Sequence, residues 1–410
     1  MPVGLISDIM VIGNWNDSDD FINAGAVWSF KLINGIWVQM QKITPPNSGA
    51  NQAFGWSLAV EEQVDTGEAW LAVGAPQSTN NEGAVHLYER DGDLWVFRQT
   101  LTEASQNFYG FDVDINVDIP IEMKEFQWDL VVGAPSHKFA GNPFNTGTVF
   151  VSSLNSVGLW TPGAIPLGAE TLPGNNPQYG RSVALDGDVI IAGGPSLQVD
   201  GNNGAGSIIA FTRGQFTPFA GNTPVNNPDP LMNELNGSGF GTDVDVVKQL
   251  VPPRQPTGNY YFVVGAPNPT SANQSGTVYV LQQDGGGFTF QTLTRPENVQ
   301  GNDRFGTAVR FREDLEGGNH RILAGTRGPN AGTSGAVYSY DQSDFDQPWL
   351  PTHQFAIPEP GLPPGNTAKV CQNIAAWNAL IAIAVPNAVI GSDAVYSNPV
   401  ITFRNGFEDP

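Results

Sequence analysis

Sulfur, histidine and positive charge are all scarce in this 410-residue chain. The single cysteine, Cys371, excludes an intramolecular disulfide. It stands in the apolar run VCQNIAAW, where a buried, inert thiol is expected. The four histidines, His86, His137, His320 and His353, are scattered without metal-ligand spacing. There is no HExxH, no GxSxG elbow and no GxxxxGK[ST] phosphate loop, so the chain nominates no zincin, hydrolase-elbow or P-loop chemistry. Lysine and arginine together number 18 against 40 aspartates and glutamates, a net charge of −22. Such a surface repels phosphate backbones and anionic bilayers, so neither nucleic acid nor membrane is an expected partner; it suits cations, basic partners or plain solubility. No run of about twenty apolar residues is present, which excludes a membrane-spanning helix, and no signal peptide is visible.

In place of these features the chain has Gly 48 and Pro 32, and a repeat. The clearest copy runs from Phe54 to Leu101: FGWSLAV, a loop, WLAVGAP, a polar loop, then GAVHLYERDGDLWVFRQTL. Four short apolar runs bounded by Gly, Pro, Asn or Asp read as four strands joined by turns, with Asp91-Gly92 marking a tight hairpin. An aromatic-Gly pair opens five copies, at Phe54, Tyr109, Tyr179, Phe240 and Phe305. An apolar run ending in Gly-Ala-Pro or a variant follows, at Pro76, Pro135, Pro195 and Pro267, with weaker forms near Gly13, Gly325 and Pro386. A third run, of the type GAVHLY, starts at Gly25, Gly83, Gly147, Gly206, Gly276, Gly335 and Asp393. Units of roughly sixty residues, strand-only and four-stranded, fall in the range of propeller blades. The predicted fold is all-β, a seven-bladed β-propeller of four-stranded antiparallel blades in a single domain, 1–410, with blades near 1–46, 47–103, 104–170, 171–222, 223–295, 296–356 and 357–410. The seventh unit is eroded; its last two runs are Ala394–Ser397 and Val400–Phe403.

These motifs resemble the FG-GAP repeat, the blade of integrin α-subunit propellers and of many secreted bacterial proteins, and are closest to the bacterial form. The resemblance covers nearly the whole chain. It implies a secreted or cell-surface protein engaged in adhesion or protein binding. The chain opens inside a unit, since Val3 to Gly13 aligns with Val183 to Gly193, so a signal peptide removed upstream is expected.

The same resemblance implies a calcium loop between the first and second strands, of the type Asp-x-Asp-x-Asp-Gly-x-x-Asp, whose alternate oxygens can turn round one ion. Only the third unit approaches it: Asp112, Asp114, Asn116 and Asp118 alternate, and Asp129 precedes LVVGAP. Ile119 stands where glycine should turn the loop. The metal candidates are therefore Asp114, Asn116, Asp118 and Asp129, with Ca2+ as cofactor and a solvated acidic loop as the other reading. The acidic stretch Asn14 to Asp20 matches no metal motif and reads as a polar loop. Asp112 and Asp114 share their repeat position with Asp243 and Asp245, where other units carry Ser57 and Ala59 or Ser182 and Ala184. Strand alternation points both members of a pair the same way. On the innermost strand these carboxylates face the central channel, where they line water or hold a cation or ligand. Trp37, Trp95, Trp160 and Trp349 recur near the outer hairpin, as packing between blades or as platforms for sugar rings.

With no catalytic constellation in sight, the expected function is a non-catalytic extracellular recognition module that binds a protein or glycan through loops on the propeller face. Two other classes stay open: a carbohydrate-active enzyme using the channel-mouth carboxylates, and a structural subunit that self-associates in a surface assembly.

Overall fold

The structure, a computed structural model, describes residues 1–103, 107–118, 127–138, 145–162, 176–199, 201–214, 217–221, 225–226, 237–251, 255–267, 275–284, 287–299, 303–313, 320–327, 336–341, 349–356, 373–377, 380–385 and 394–397. Alternating apolar runs fold as strands wherever two faces must be buried, and consecutive strands pair antiparallel. The first sheet joins β1 (Val3–Ile6), β2 (Ile9–Asn14), β3 (Ala26–Ile33) and β4 (Ile36–Ile43); the second joins β5 (Ser57–Gln63), β6 (Glu68–Ala75), β7 (Ala84–Asp91) and β8 (Leu94–Thr102). The third has β9 (Val113–Asp118), β10 (Gln127–Ala134), β11 (Thr148–Leu154) and β12 (Trp160–Pro162). The fourth has β13 (Ser182–Asp186), β14 (Val189–Gly194), β15 (Ser207–Gly214) and β16 (Thr217–Gly221), with β17 (Val225–Asn226) also on β15. Next come β18 (Asp243–Val251), β19 (Gln255–Ala266), β20 (Thr277–Asp284) and β21 (Gly287–Thr292), then β22 (Val309–Glu313), β23 (His320–Gly325), β24 (Ala336–Asp341) and β25 (Leu350–Ala356). The last sheet is β26 (Asn373–Trp377), β27 (Leu380–Val385) and β28 (Ala394–Ser397).

Inner strands touch in sequence: β1 on β5, β5 on β9, β9 on β13, β13 on β18, β18 on β22, β22 on β26, and β26 on β1. The chain is thus an all-β propeller with four-stranded antiparallel blades. Its complete blades number six rather than the expected seven, because the last sheet has three strands among the described residues. The run expected as its outer strand, Val400–Phe403, lies outside them. This unit also departs most from the repeat, with no aromatic-Gly and IAIAVP in place of VGAP.

The repeat motifs are the seams between blades. Gly133, in the VGAP run, lies against Gly180 of the next blade; a Cβ there would sit 2.0 Å from the Gly180 carbonyl oxygen. Gly83 takes φ +89° and forms a parallel bridge with Tyr109 of the next blade, whose own amide donates to the Glu82 carbonyl at 3.1 Å. The aromatic beside each such glycine is buried, as Phe54, Tyr109, Tyr179, Phe240 and Phe305 all are. Apolar packing follows the seams too: one cluster joins Ile9 and Phe54 to Leu71 and Trp95, another joins Leu87 to Leu130 and Trp160.

A second seam runs outside. Gln41 on β4 reaches the next blade, accepting from the Trp95 amide at 2.7 Å and donating to the Trp95 carbonyl at 3.1 Å. One blade on, Gln99 brackets Trp160 in the same way, at 2.9 and 2.8 Å. The four outer tryptophans are 5%, 3%, 1% and 2% exposed, which decides for packing over sugar stacking. Gln99→Ala removes both bonds and leaves the Trp160 peptide unpaired; a loss of about 1–2 kcal/mol is expected, read as a lowered denaturant midpoint at unchanged slope.

Candidate functional site

An inner strand has one partner, so alternate amides point into the channel with no strand to take them. Side chains from the preceding blade supply the acceptors. On the third blade Asp112 accepts from the Val183 amide at 2.8 Å, Asp114 from Leu185 at 2.8 Å and Asn116 from Gly187 at 3.1 Å. The fifth blade repeats the arrangement: Asp243 accepts from Val309 and Asp245 from Phe311, both at 2.7 Å. Where the repeat carries serine the polarity reverses. Ser57 and Ser182 donate to the carbonyls of Gly110 and Gly241, each at 2.9 Å.

The four channel aspartates therefore converge as strand alternation requires, around a cavity of about 200 Å³. It opens at the end of the channel where the inner strands begin, and is lined also by Trp56, Phe111, Arg181 and Arg310. Arg310 Nη1 lies 3.3 Å from each carboxylate oxygen of Asp243 and donates to the Val309 carbonyl at 2.7 Å. Burial pushes Asp112 up to about 7, against the Val183 amide and Arg310, which act to lower it. Burial, reinforced by the charge of Asp245, pushes Asp114 up to about 8. Asp245 rises to about 6, again by burial, with Arg310 opposing. Burial works to lower Arg310, but the four surrounding carboxylates outweigh it and hold the guanidinium above its ordinary value.

The calcium candidates are spread over β9 and β10, each with a partner of its own. Asp114 and Asn116 serve the amides just described, and Asp118 accepts from Lys248 Nζ at 3.0 Å. Asp129, opposite Asn116 on β10, accepts from the Ser153 hydroxyl. Among the described residues no group of three or more His, Cys, Asp or Glu side chains is arranged to hold a metal. The acidic stretch of the first blade is organised by a lysine: Lys42 Nζ pairs with Asp19 and lies 3.7 Å from Asp17.

Sequence reasoning missed the rim. The residue after each aromatic-Gly reads Trp56, Phe111, Arg181, Thr242 and Thr307 around the ring, and the first four of these line the cavity at the channel mouth. Trp56 packs against Trp15 with ring centroids 5.3 Å apart, and against Phe111 at 5.5 Å. The Arg181 guanidinium lies 5.1 Å from the Phe111 centroid. All three rings are only partly buried. Arg310 was missed as well, although it occupies the repeat position of Asp114 and Asp245.

Blades sealed by aromatic-Gly and Gly-Ala-Pro motifs around a polar channel define a repeat-built β-propeller. Residues 37–88, from β4 into β7, match the family model described as FG-GAP repeat, so this stretch of the propeller is similar to that repeat. A sequence search of curated proteins finds no match. Among solved structures the chain is similar to the α-L-arabinanase of Penicillium chrysogenum complexed with arabinobiose, at 12% identity and TM-score 0.47, over 80% of this chain and 88% of that one. It is similar also to the α-L-arabinofuranosidase of Fusarium graminearum complexed with arabinobiose, at 12% identity and TM-score 0.47, over 80% and 87%. At these values neither neighbour's activity carries over.

Proposed function

We propose that the chain is a non-catalytic extracellular recognition module, with the three-stranded last sheet as the seventh blade and its ligand docked at the channel mouth. The observation that carries this reading is the engagement of the carboxylates. Each of the four channel aspartates holds a backbone amide of the next blade at 2.7–2.8 Å. A group fixed in that way is a structural clamp that also presents its remaining lone pairs to the cavity.

A carbohydrate-active enzyme is the second reading, and one observation favours it. Asp114 is held near 8 and so carries a proton at neutral pH, while Asp243 faces the Arg310 guanidinium. A carboxyl that keeps its proton at neutral pH, with a second carboxyl in the same cavity, is what a general acid in glycoside hydrolysis needs. Incubation with neutral polysaccharides, assayed for new reducing ends, separates the two. The recognition reading expects none. Release that disappears in Asp114→Asn, with the fold intact by circular dichroism, would overturn it.

A further inference from the structure

Solvent-facing aromatic rings need an explanation in a chain that buries the aromatic of every aromatic-Gly pair. Trp15, Trp56 and Phe111 form one continuous arc across the first three blades, ended by Arg181 on the fourth. Just below the arc the cavity is walled by Asp112, Asp114, Asp243 and Asp245, with Arg310 among them. Its volume, about 200 Å³, is below the ~300 Å³ at which small-molecule pockets usually begin, so it takes one ring-sized group while the rest of a ligand lies along the arc. The arc offers flat apolar faces; the cavity offers carboxyl oxygens that accept hydrogen bonds and, where protonated, also donate one. A ligand that fits both has an apolar face and an edge of hydroxyl donors.

We propose that the channel mouth binds a neutral carbohydrate, one sugar ring seated over Trp56 and Phe111 with its hydroxyls donating to the channel carboxylates. The proposal rests on the recognition reading and names its ligand class. An acidic sugar is disfavoured because it would bring a further charge into a buried cavity whose guanidinium, Arg310, is already engaged by Asp243. A cationic ligand is disfavoured because Arg310 already stands among those carboxylates as counter-ion, and burial favours the uncharged form of three of them. The lone pairs left over by the amide clamps then face a ligand that brings O–H donors and no charge.

The test is an array of neutral oligosaccharides with their sulfated counterparts and an oligo-lysine peptide, followed by calorimetric titration of the best neutral binder. Binding to a neutral member is expected, with at least tenfold loss on sulfation. Trp56→Ala and Phe111→Ala should each weaken it tenfold or more, whereas Phe290→Ala, at an exposed outer-strand ring, leaves it unchanged. Because Trp56 is partly exposed its variant should fold; Trp56→Phe, which keeps a stacking face, should restore much of the affinity. Preference for oligo-lysine or sulfated members overturns the proposal, as does binding indifferent to Trp56 and Phe111, or no binding by any neutral member. A protein ligand held at the mouth without any sugar would sink the carbohydrate assignment and leave the recognition module standing. Cleavage of the bound oligosaccharide would do the reverse.

Discussion

Gly133→Ala should lower the melting temperature by on the order of 10 °C or prevent folding. The added Cβ would lie 2.0 Å from the carbonyl oxygen of Gly180 and 2.9 Å from its carbonyl carbon. Both atoms are backbone, and no rotamer change relieves the contact. Relief requires the third and fourth blades to part, which breaks the apolar cluster that joins Val131 and Val149 to Tyr179 and Ile190. It also lengthens the bonds from the Val183 and Leu185 amides to Asp112 and Asp114. A penalty above about 4 kcal/mol is consistent with overpacking at a site that cannot yield. Gly49→Ala is the control: its nearest contact is the tip of the Gln52 side chain at 3.6 Å, and a change within about 0.5 kcal/mol is expected. If both variants melt together, the glycine seam is not what holds neighbouring blades.

That seam is also why the fold could be read from sequence. Glycine at the closest approach of two blades and an aromatic beside it are positional requirements, so they recur in register and announce the repeat. The seventh unit lacks those glycines, and its sheet is the one without four described strands. Of the candidate site, Asp112, Asp114, Asp243 and Asp245 were legible because alternation fixes which side of a strand a residue faces. The calcium set was read as a loop, yet Asp114, Asn116 and Asp118 lie on the strand Val113–Asp118; Asp114 and Asn116 serve the next blade, and Asp118 takes Lys248 from the blade beyond it. Nothing local to one unit reveals such partners, which stand 71 residues further along the chain for Asp114 and Asn116 and 130 for Asp118. The aromatic arc was hidden for a related reason. Trp15 comes from a different loop than Trp56 and Phe111, and only closure of the ring brings the three together.

The clamps have a consequence for pH. Between pH 6.5 and 8.5 the chain should lose stability as pH rises, against the usual flat profile of an acidic protein in that range. Asp112 and Asp114, held by burial near 7 and 8, keep protons in the folded state that an unfolded carboxylate, with its pKa near 3.8, has already released. The folded form thus binds more protons, and raising the pH withdraws free energy from folding. Stability from these two groups is complete below the unfolded value and is lost as pH climbs through 7 and 8. Each pH unit over which one carboxyl holds its proton only in the folded state costs about 1.4 kcal/mol, so the melting temperature should fall by several degrees across the window. His86 does not blur the result. Burial lowers it to about 4, so folded and unfolded forms are both largely neutral at this histidine above pH 6.5. Below that pH it acts in the opposite sense, since protonation of the unfolded imidazole favours unfolding. Asp114→Asn keeps an oxygen acceptor for the Leu185 amide and cannot ionise, so its melting curve should be flatter from pH 7 to 8.5. A wild-type profile that is already flat there, or one that Asp114→Asn leaves unaltered, would mean that the channel carboxylates are ionised throughout. The cavity would then be strongly anionic at neutral pH and would favour a cationic guest over an uncharged sugar.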